Sequence, residues 1–425
     1  MSLLIKNGRV IDPASGKDET LDILIQKGKI KAIKPKIEAH DQKVIDASRL
    51  VVAPGFIDMH VHLREPGQED KETIRSGSLA AAKGGFTSVA CMPNTAPVND
   101  TRGVTEYIIS EAKRKAVVNV FPIAAVSRNQ KGDELTDMAD LEDAGAVAFS
   151  DDGLPVKTSH LMRRSLEYSR LLNSLIIDHC EDRSLTQDGV MNEGYSSYLF
   201  GLKGMPVSAE EIVAARDLIL AERAGARIHI AHLSCRGAVD IVKKAKQRKV
   251  RVTTEVTPHH LILDDSFLES YDTNLKVNPP LRSKQDVEAL IRAVKEGMVD
   301  VLVTDHAPHT VDEKNVEFDE APFGINGLET AVSLLLDKLV NRNIISLSKF
   351  IEMISTTPAR LLGLENKGKI EVGADADLTI LNLHRQIVVD VEKFKSKSRN
   401  NPFHGWKLRG TPVMTIVRGK IVYSE

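Results

Sequence analysis

Short apolar segments alternate with longer, helix-like segments along most of the chain. Eight of the apolar segments have the length of buried strands, at residues 56–63, 88–92, 118–125, 146–150, 175–178, 228–233, 250–255 and 300–304. The segments between them repeat apolar residues at helical spacing and include residues 72–83, 105–115, 161–172, 209–224, 238–248 and 287–295. Eight strand–helix units over roughly 250 residues predict a (β/α)8 (TIM) barrel of the α/β class. A doubly wound sheet is the alternative, but its Gly-rich phosphate loop is missing after the first strand.

Both ends of the chain have a different pattern, of short strands joined by tight turns. Asn7-Gly8 and Lys27-Gly28 turn between strand-like segments near the start, and Gly419-Lys420 turns between the last two. This shared pattern predicts one small β-sandwich domain built from residues 1–53 and 365–425. Residues 54–364 would then form the barrel inserted between its two parts.

Unusual polar residues stand where the predicted strands end. His60 and His62 are two apart on the first strand, a spacing that points both imidazoles to the same side. Later strands end in Asp151-Asp152, His179, His232 and Asp305. A His-X-His pair alone is more often a hydrogen-bonded structural feature. A barrel, however, gathers all these residues at one mouth, the C-terminal end of its strands.

Four histidines and two aspartates are suitable ligands for Zn²⁺ or a similar divalent ion, but they are too many for one tetrahedral site. A pair of ions that shares a carboxylate uses the whole set. Such a pair lowers the pKa of a bridging water and polarises a carbonyl, which predicts hydrolysis of an amide-like bond.

Several motifs together resemble dihydroorotase of the long, barrel-plus-β-module type, within the amidohydrolase superfamily of metal-dependent hydrolases. The His-X-His pair would indicate only the superfamily, whereas the other motifs narrow the resemblance. They are Gly55-Phe-Ile-Asp-Met-His60-Val-His62-Leu-Arg64, Cys91-Met-Pro-Asn94, Ser150-Asp-Asp-Gly153, Asp178-His-Cys-Glu181, Val277-Asn-Pro-Pro-Leu-Arg282 and Thr304-Asp-His-Ala-Pro-His309.

The resemblance implies a binuclear centre with two Zn²⁺ per chain, bridged by Asp152 and a hydroxide. His60, His62 and Asp305 would hold one zinc, and His179 and His232 the other. Many relatives, including hydantoinases, bridge with a carboxylated lysine instead, but the nearest lysine here, Lys157, lies beyond Gly153. Asp151 is the rival bridge, since adjacent residues point to opposite sides and only one can face the metals.

The reaction implied is the reversible cyclisation of N-carbamoyl-L-aspartate to L-dihydroorotate plus water, a step of de novo pyrimidine (UMP) biosynthesis. Asp305 would be the catalytic residue that moves the proton. Arg64, Asn94, Asn278 and His309 would bind the substrate, with Arg64 on its carboxylate. The structural alternatives are a salt bridge for Arg64 and a plain turn for Asn278-Pro279.

Charge and cysteine content restrict the partners and the compartment. The 57 basic and 59 acidic residues leave a net charge of -2, which argues against nucleic acid or a membrane surface as a partner. Three scattered cysteines suit a reducing, cytoplasmic location, and the N-terminus lacks a signal-peptide layout. We expect a homodimer, and association with aspartate transcarbamoylase is compatible with the resemblance.

Two other functions compete with this interpretation. The chain could be another cyclic amidase, a hydantoinase or allantoinase, whose weak point is the missing bridging lysine. It could also be a non-catalytic partner of aspartate transcarbamoylase, for which loss of metal ligands would be the signature.

Remaining segments receive simpler interpretations. Residues 310–320 have the composition of a mobile loop over the site or of a plain solvated loop, and residues 395–401 that of an exposed basic connector. Glu181 is expected to support a ligand. Cys180 is expected to pack, and His259-His260 either to be structural or to support a ligand from behind.

Overall fold

The structure is a computed structural model that describes residues 2–425. Its strands are β1 (Ser2–Asp12), β2 (Lys17–Gln26), β3 (Lys29–Lys34), β4 (Lys43–Asp46), β5 (Val51–Pro54), β6 (Phe56–Val61), β7 (Phe86–Cys91), β8 (Asn119–Pro122), β9 (Phe149–Ser150), β10 (Ile176–Asp178), β11 (Met191–Asn192), β12 (Gly204–Met205), β13 (Ile228–Ile230), β14 (Val252–Val256), β15 (Val301–Leu302), β16 (Leu378–Val388), β17 (Lys407–Val417) and β18 (Lys420–Ser424).

The helices are α1 (Ile74–Lys83), α2 (Arg102–Lys115), α3 (Met138–Asp143), α4 (Ser159–Leu172), α5 (Arg183–Thr186), α6 (Tyr195–Phe200), α7 (Ser208–Ala224), α8 (Arg236–Gln247), α9 (Pro258–Ile262), α10 (Lys284–Lys295), α11 (Val311–Lys314), α12 (Ala331–Leu335), α13 (Leu347–Ile351) and α14 (Thr357–Leu361). Two π-helical turns, Leu336–Val340 and Glu352–Thr356, extend α12 and join α13 to α14. No helix in the described chain combines the length and apolarity needed to cross a membrane.

Eight parallel strands form the barrel. Strands β6, β7 and β8 pair in one run, and β9, β10, β13, β14 and β15 in another. Parallel bridges from Ala124 to Phe149 and from Val61 to His306 join the two runs into a ring. The predicted TIM barrel is therefore confirmed, and all eight predicted strands are present, although most are shorter than expected.

Capping residues define where the barrel helices begin and end. Thr158 accepts a hydrogen bond from the backbone N–H of Leu161 at the start of α4, and Asn173 ends that helix in the left-handed conformation. Helix α7 ends at Gly225 in the same way. These short, well-defined turns leave the strand ends facing a common mouth.

A second sheet combines strands from both ends of the chain. Its order is β18-β17-β16-β5-β1-β2-β3, with β4 paired to β1. The sheet has its own buried cluster, which includes Ile5, Val10, Ile23, Ile380 and Ile416. On this strand order we propose the division of the chain into residues 1–53 plus 365–425 and residues 54–364.

One sequence interpretation is wrong. The segment 395–401 is not an exposed connector, because Ser396, Ser398, Asn400 and Asn401 are buried. The Asn400 side chain donates to the carbonyls of Ala307 and Gly324, 3.0 Å away in both cases. The physical reason is that a polar segment can be buried when its hydrogen bonds are satisfied by neighbouring loops.

The segment 310–320 is partly helical and mostly exposed, with Lys314 and Phe318 buried. It contains α11, whose Thr310 and Glu313 form a capping box. Lys314 is buried and donates to the carbonyls of Thr273 and Pro322. Lys276 donates from the other side to the carbonyl of Phe318. Lys276 and Lys314 thus attach this segment to neighbouring loops of the same chain.

Candidate metal centre

The six predicted ligands meet at the C-terminal ends of the barrel strands. His60 lies in β6 and His62 just beyond it, and Asp152, His179, His232 and Asp305 follow β9, β10, β13 and β15. All six are buried. Strand order alone brings these residues together, since they are spread over about 245 positions of the sequence.

The carboxylate of Asp152 lies between two groups of imidazoles. Its Oδ2 is 3.3 Å from Nε2 of His60 and 3.5 Å from Nε2 of His62. Its Oδ1 is 3.4 Å from Nε2 of His232 and 3.7 Å from Nδ1 of His179. Each oxygen therefore faces a different pair of histidines.

Asp305 completes the first group. Its Oδ1 is 3.2 Å from Nε2 of His62 and 3.5 Å from Nε2 of His60. The ligand atoms of His60, His62 and Asp305 lie within 4.8 Å of one another, as do those of His60, Asp152 and His232.

This donor set fits divalent metal ions. Nε2 of His60 and Oδ1 of Asp152 are buried and have no hydrogen-bond partner among the described residues. Nδ1 of His179 and Nε2 of His232 approach to 2.9 Å. Buried polar atoms that converge without partners are costly, and imidazole nitrogens with carboxylate oxygens are ligands that zinc accepts. The arrangement therefore suits the implied ions.

Three neighbours hold the outer nitrogens of the histidines. Nδ1 of His62 is 2.9 Å from Oδ1 of Asn94, and Nε2 of His179 is 2.9 Å from Oε2 of Glu181. Glu181 therefore contacts His179, a predicted ligand, as expected. Such contacts orient a ligand and fix which of its nitrogens carries the proton.

The third neighbour, Glu255, escaped sequence analysis. Its Oε1 is 2.5 Å from Nδ1 of His60. A signal was present, because Glu255 is a charged residue inside an otherwise uncharged buried strand, Val252–Val256.

Asp151 and Lys157, the alternatives to Asp152 as a bridge, both point elsewhere. The Asp151 carboxylate is bound by Ser127, and burial raises its pKa to about 6. Lys157 has a side chain that is 60% exposed, and its Nζ lies 3.2 Å from Asp133. Within the described residues, neither side chain forms a hydrogen bond or ion pair with any of the four histidines.

Arg64 is buried beside the cluster without an acidic partner. Its Nε donates to the carbonyl of Pro308 at 3.2 Å, and among residues 2–425 no carboxylate oxygen lies within 4.0 Å of its guanidinium. Burial lowers its pKa to about 10, although nearby carboxylates act to raise it. Arg64 is therefore still a cation at neutral pH, and the salt bridge considered as its structural alternative is not formed.

The other predicted substrate-binding residues surround the same mouth. Nε2 of His309 is 3.3 Å from the Arg64 guanidinium, and burial together with that positive charge lowers the pKa of His309 to about 3. Asn278 Nδ2 donates to Glu181 Oε2 at 2.9 Å and is 3.4 Å from Nε2 of His179. Asn278 is thus beside a predicted ligand, although its amide already has a partner.

Two residues given structural interpretations are enclosed. Cys180 is a buried free thiol. Nδ1 of His260 lies 2.8 Å from the Thr257 hydroxyl, and its Nε2 lies 2.9 Å from the carbonyl of Pro279. His260 therefore has both ring nitrogens in contact with neighbouring polar groups, as a structural residue would.

Comparison with known proteins adds independent information. Residues 48–238 match the family model described as dihydro-orotase-like, and residues 339–423 match the amidohydrolase family. A dihydroorotase of Syntrophus aciditrophicus is 51% identical over 427 residues, covering 100% of both chains. A dihydroorotase of Pelotomaculum thermopropionicum is 52% identical, covering 100% of this chain and 99% of the relative.

A solved structure is similar over nearly the whole length. The L-hydantoinase (dihydropyrimidinase) from Arthrobacter aurescens superimposes with a TM-score of 0.91 at 28% identity, covering 99% of this chain and 96% of the other.

Proposed function

Since the chain belongs to the dihydroorotase family of amidohydrolases, we propose that its six converging ligands hold two zinc ions per chain at the active centre. The chain is a dihydroorotase, a metal-dependent cyclic amide hydrolase. It catalyses the reversible cyclisation of N-carbamoyl-L-aspartate to L-dihydroorotate plus water, in pyrimidine biosynthesis.

The position of Asp152 is the observation that carries the proposal. One of its carboxylate oxygens faces His60 and His62, and the other faces His179 and His232. A carboxylate with one oxygen toward each ligand group is suited to bridge two cations. When bound, the two ions would supply a water of lowered pKa and positive charge that polarises the amide carbonyl.

Asp305 is the proposed proton carrier in the hydrolytic direction. Its Oδ1 is beside His60 and His62, and its side chain keeps some exposure at the mouth, 12% against 0% for His60. The carboxylate would take the proton of the attacking water and deliver it to the nitrogen that leaves.

Arg64 is the proposed anchor for the substrate carboxylate. It is a buried cation whose nearest partners are a carbonyl and an imidazole, so its charge is available to an anion. A planar guanidinium can bind a carboxylate through two parallel hydrogen bonds. This would favour dihydroorotate over a neutral cyclic amide such as hydantoin.

Donor groups beside Arg64 and beside the predicted ligands would complete recognition. Asn94 uses its Oδ1 on His62, which leaves the Nδ2 donor for the substrate. His309 stays neutral at physiological pH and sits beside the Arg64 guanidinium. Asn278 would exchange its bond to Glu181 for the ureido or ring amide edge.

Assembly and location remain predictions. We propose a homodimer, association with aspartate transcarbamoylase and a cytoplasmic location. Light scattering of the purified chain, alone and mixed with aspartate transcarbamoylase, would test the first two.

Turnover of dihydroorotate by the zinc-loaded protein, followed at its amide absorbance, tests the substrate assignment. Hydantoin and allantoin serve as neutral comparison substrates under the same conditions. We expect rapid turnover of dihydroorotate and little of the other two. Preference for hydantoin or allantoin would overturn the assignment, and loss of all activity with both zinc ions bound would favour a non-catalytic partner.

A further inference from the structure

Glu255 connects two of the predicted metal ligands from a buried position behind them. It lies near the end of β14, and its side chain is fully enclosed. Oε1 of Glu255 is 2.5 Å from Nδ1 of His60, and the same oxygen accepts the backbone N–H of His232 at 3.2 Å. One carboxylate oxygen therefore contacts one histidine from each ligand group.

The contact to His60 determines which nitrogen of the imidazole is free to bind a cation. A carboxylate accepts hydrogen bonds and cannot donate them, so the proton of neutral His60 belongs on Nδ1. That leaves the lone pair of Nε2 directed at Asp152 and Asp305, 3.3 and 3.5 Å away. Without an acceptor at Nδ1, the ring could carry its proton on Nε2 and lose its ability to bind a cation there.

The contact to His232 links the second group of ligands, His179 and His232, to the same carboxylate oxygen. His232 follows β13, and its Nε2 is 3.4 Å from Oδ1 of Asp152. Glu255 therefore contacts both the backbone at His232 and the ring of His60, and so connects the ends of β6 and β13 where the ligands project.

The second oxygen of Glu255 is also occupied. Oε2 is 3.1 Å from Nε2 of His229, and Nδ1 of His229 is 2.8 Å from the Thr253 hydroxyl. A continuous chain of hydrogen bonds thus runs from Thr253 through His229 and Glu255 to His60.

The charge of Glu255 has no lysine or arginine to balance it. Among residues 2–425, its ion-pair contacts within 4.0 Å are to His60 and His229 only. A buried carboxylate is expensive unless positive charge compensates it. Cations held by His60 on the far side of the ring would provide that compensation.

We propose that Glu255 is a positioning residue, which fixes the proton and orientation of His60 and ties the two ligand groups together. The inference rests on the proposed function, since it presumes that both groups hold zinc. Contacts of this kind are worth about 10- to 100-fold in metal affinity.

Two substitutions separate the charge of Glu255 from its hydrogen bonds. Glu255→Gln keeps the size and an acceptor for His60 but removes the charge. Glu255→Leu removes both the charge and the acceptor. Zinc affinity of the metal-stripped proteins would be measured by competition with a chelator, and folding by circular dichroism and thermal unfolding.

A matched control is Glu329→Gln. The Glu329 side chain is also fully buried, pairs with Lys83 at 2.8 Å and accepts the backbone N–H groups of Lys395 and Ser396. It contacts no predicted ligand within the described chain. This variant should lose thermal stability and keep the parent's zinc affinity.

The expected result is zinc binding about 10- to 100-fold weaker in Glu255→Leu, a smaller loss in Glu255→Gln, and recovery of turnover in the Gln variant at excess zinc. Parent-like zinc affinity in a folded Glu255→Gln and Glu255→Leu would overturn the inference. Failure of the parent itself to bind two zinc ions would instead overturn the proposed function.

Discussion

Ser127 binds both oxygens of the Asp151 carboxylate. Its backbone N–H donates to Oδ1 at 2.9 Å and its hydroxyl to Oδ2 at 2.5 Å. Asp151 is therefore fully engaged on the side away from the histidines. The neighbouring Asp152 has no such partner and faces them.

This difference predicts opposite outcomes for two similar substitutions. Asp152→Ala should remove the shared ligand and lower bound zinc from two equivalents toward none, with loss of activity. Asp151→Ala should keep both ions and mainly lower stability, by about 1 to 3 kcal/mol, because the Ser127 groups lose their acceptor. Elemental analysis of the dialysed proteins measures the first effect and denaturant unfolding the second. Normal zinc in Asp152→Ala, with loss in Asp151→Ala, would reassign the bridge.

Arg64 should determine preference for an anionic substrate. Replacement by Met removes the buried cation, and hydrogen bonds to charged groups are worth about 1.5 to 3 kcal/mol. Arg64→Met should therefore lower kcat/KM for dihydroorotate about ten- to a few-hundred-fold, with two zinc ions still bound.

Arg64→Lys is the control for the shape of the cation. Lysine keeps the charge but not the planar fork, so only part of the loss should be recovered. Parent-like turnover by Arg64→Met would leave Arg64 with a structural role and remove the main physical support for carboxylate recognition.

Lys314 should make stability depend on pH. Burial, with a further contribution from Lys276, lowers the pKa of Lys314 from 10.5 to about 7 in the folded chain. Between these two values the unfolded chain binds a proton that the folded chain lacks, so folding becomes more favourable as pH rises. Below pH 7 both states are protonated and the full penalty for the buried charge remains.

Lys314→Met lacks this proton and tests the assignment. The unfolding free energy of the parent minus that of Lys314→Met should increase from pH 7 to 9, by at most about 1.4 kcal/mol per pH unit. Denaturant unfolding at matched zinc concentration measures it. A difference that stays constant would mean that Lys314 remains protonated in the folded chain.

Much of the fold was accessible from the sequence because the barrel imposes a repeated pattern. Each strand had to be apolar to be buried on both faces, so a His or Asp at its end was conspicuous, as with His179 and Asp305. The barrel fold then brings these residues together at the C-terminal ends of the strands.

The parts that were missed depend on contacts between distant residues. Nothing near Asn400 in the sequence shows that its amide serves the carbonyls of Ala307 and Gly324. The role proposed for Glu255 likewise depends on its contact with His60, which is 195 residues away in the sequence. The difference between Asp151 and Asp152 also depends on a contact from another loop, because Ser127 binds the Asp151 carboxylate.

Zinc titration of the metal-stripped protein tests the central claim most directly. Dihydroorotate turnover, followed at the amide absorbance, should rise with added zinc and level off at two equivalents per chain, because both ligand groups must be filled. A plateau at one equivalent, with no second ion bound in excess zinc, would contradict the binuclear centre.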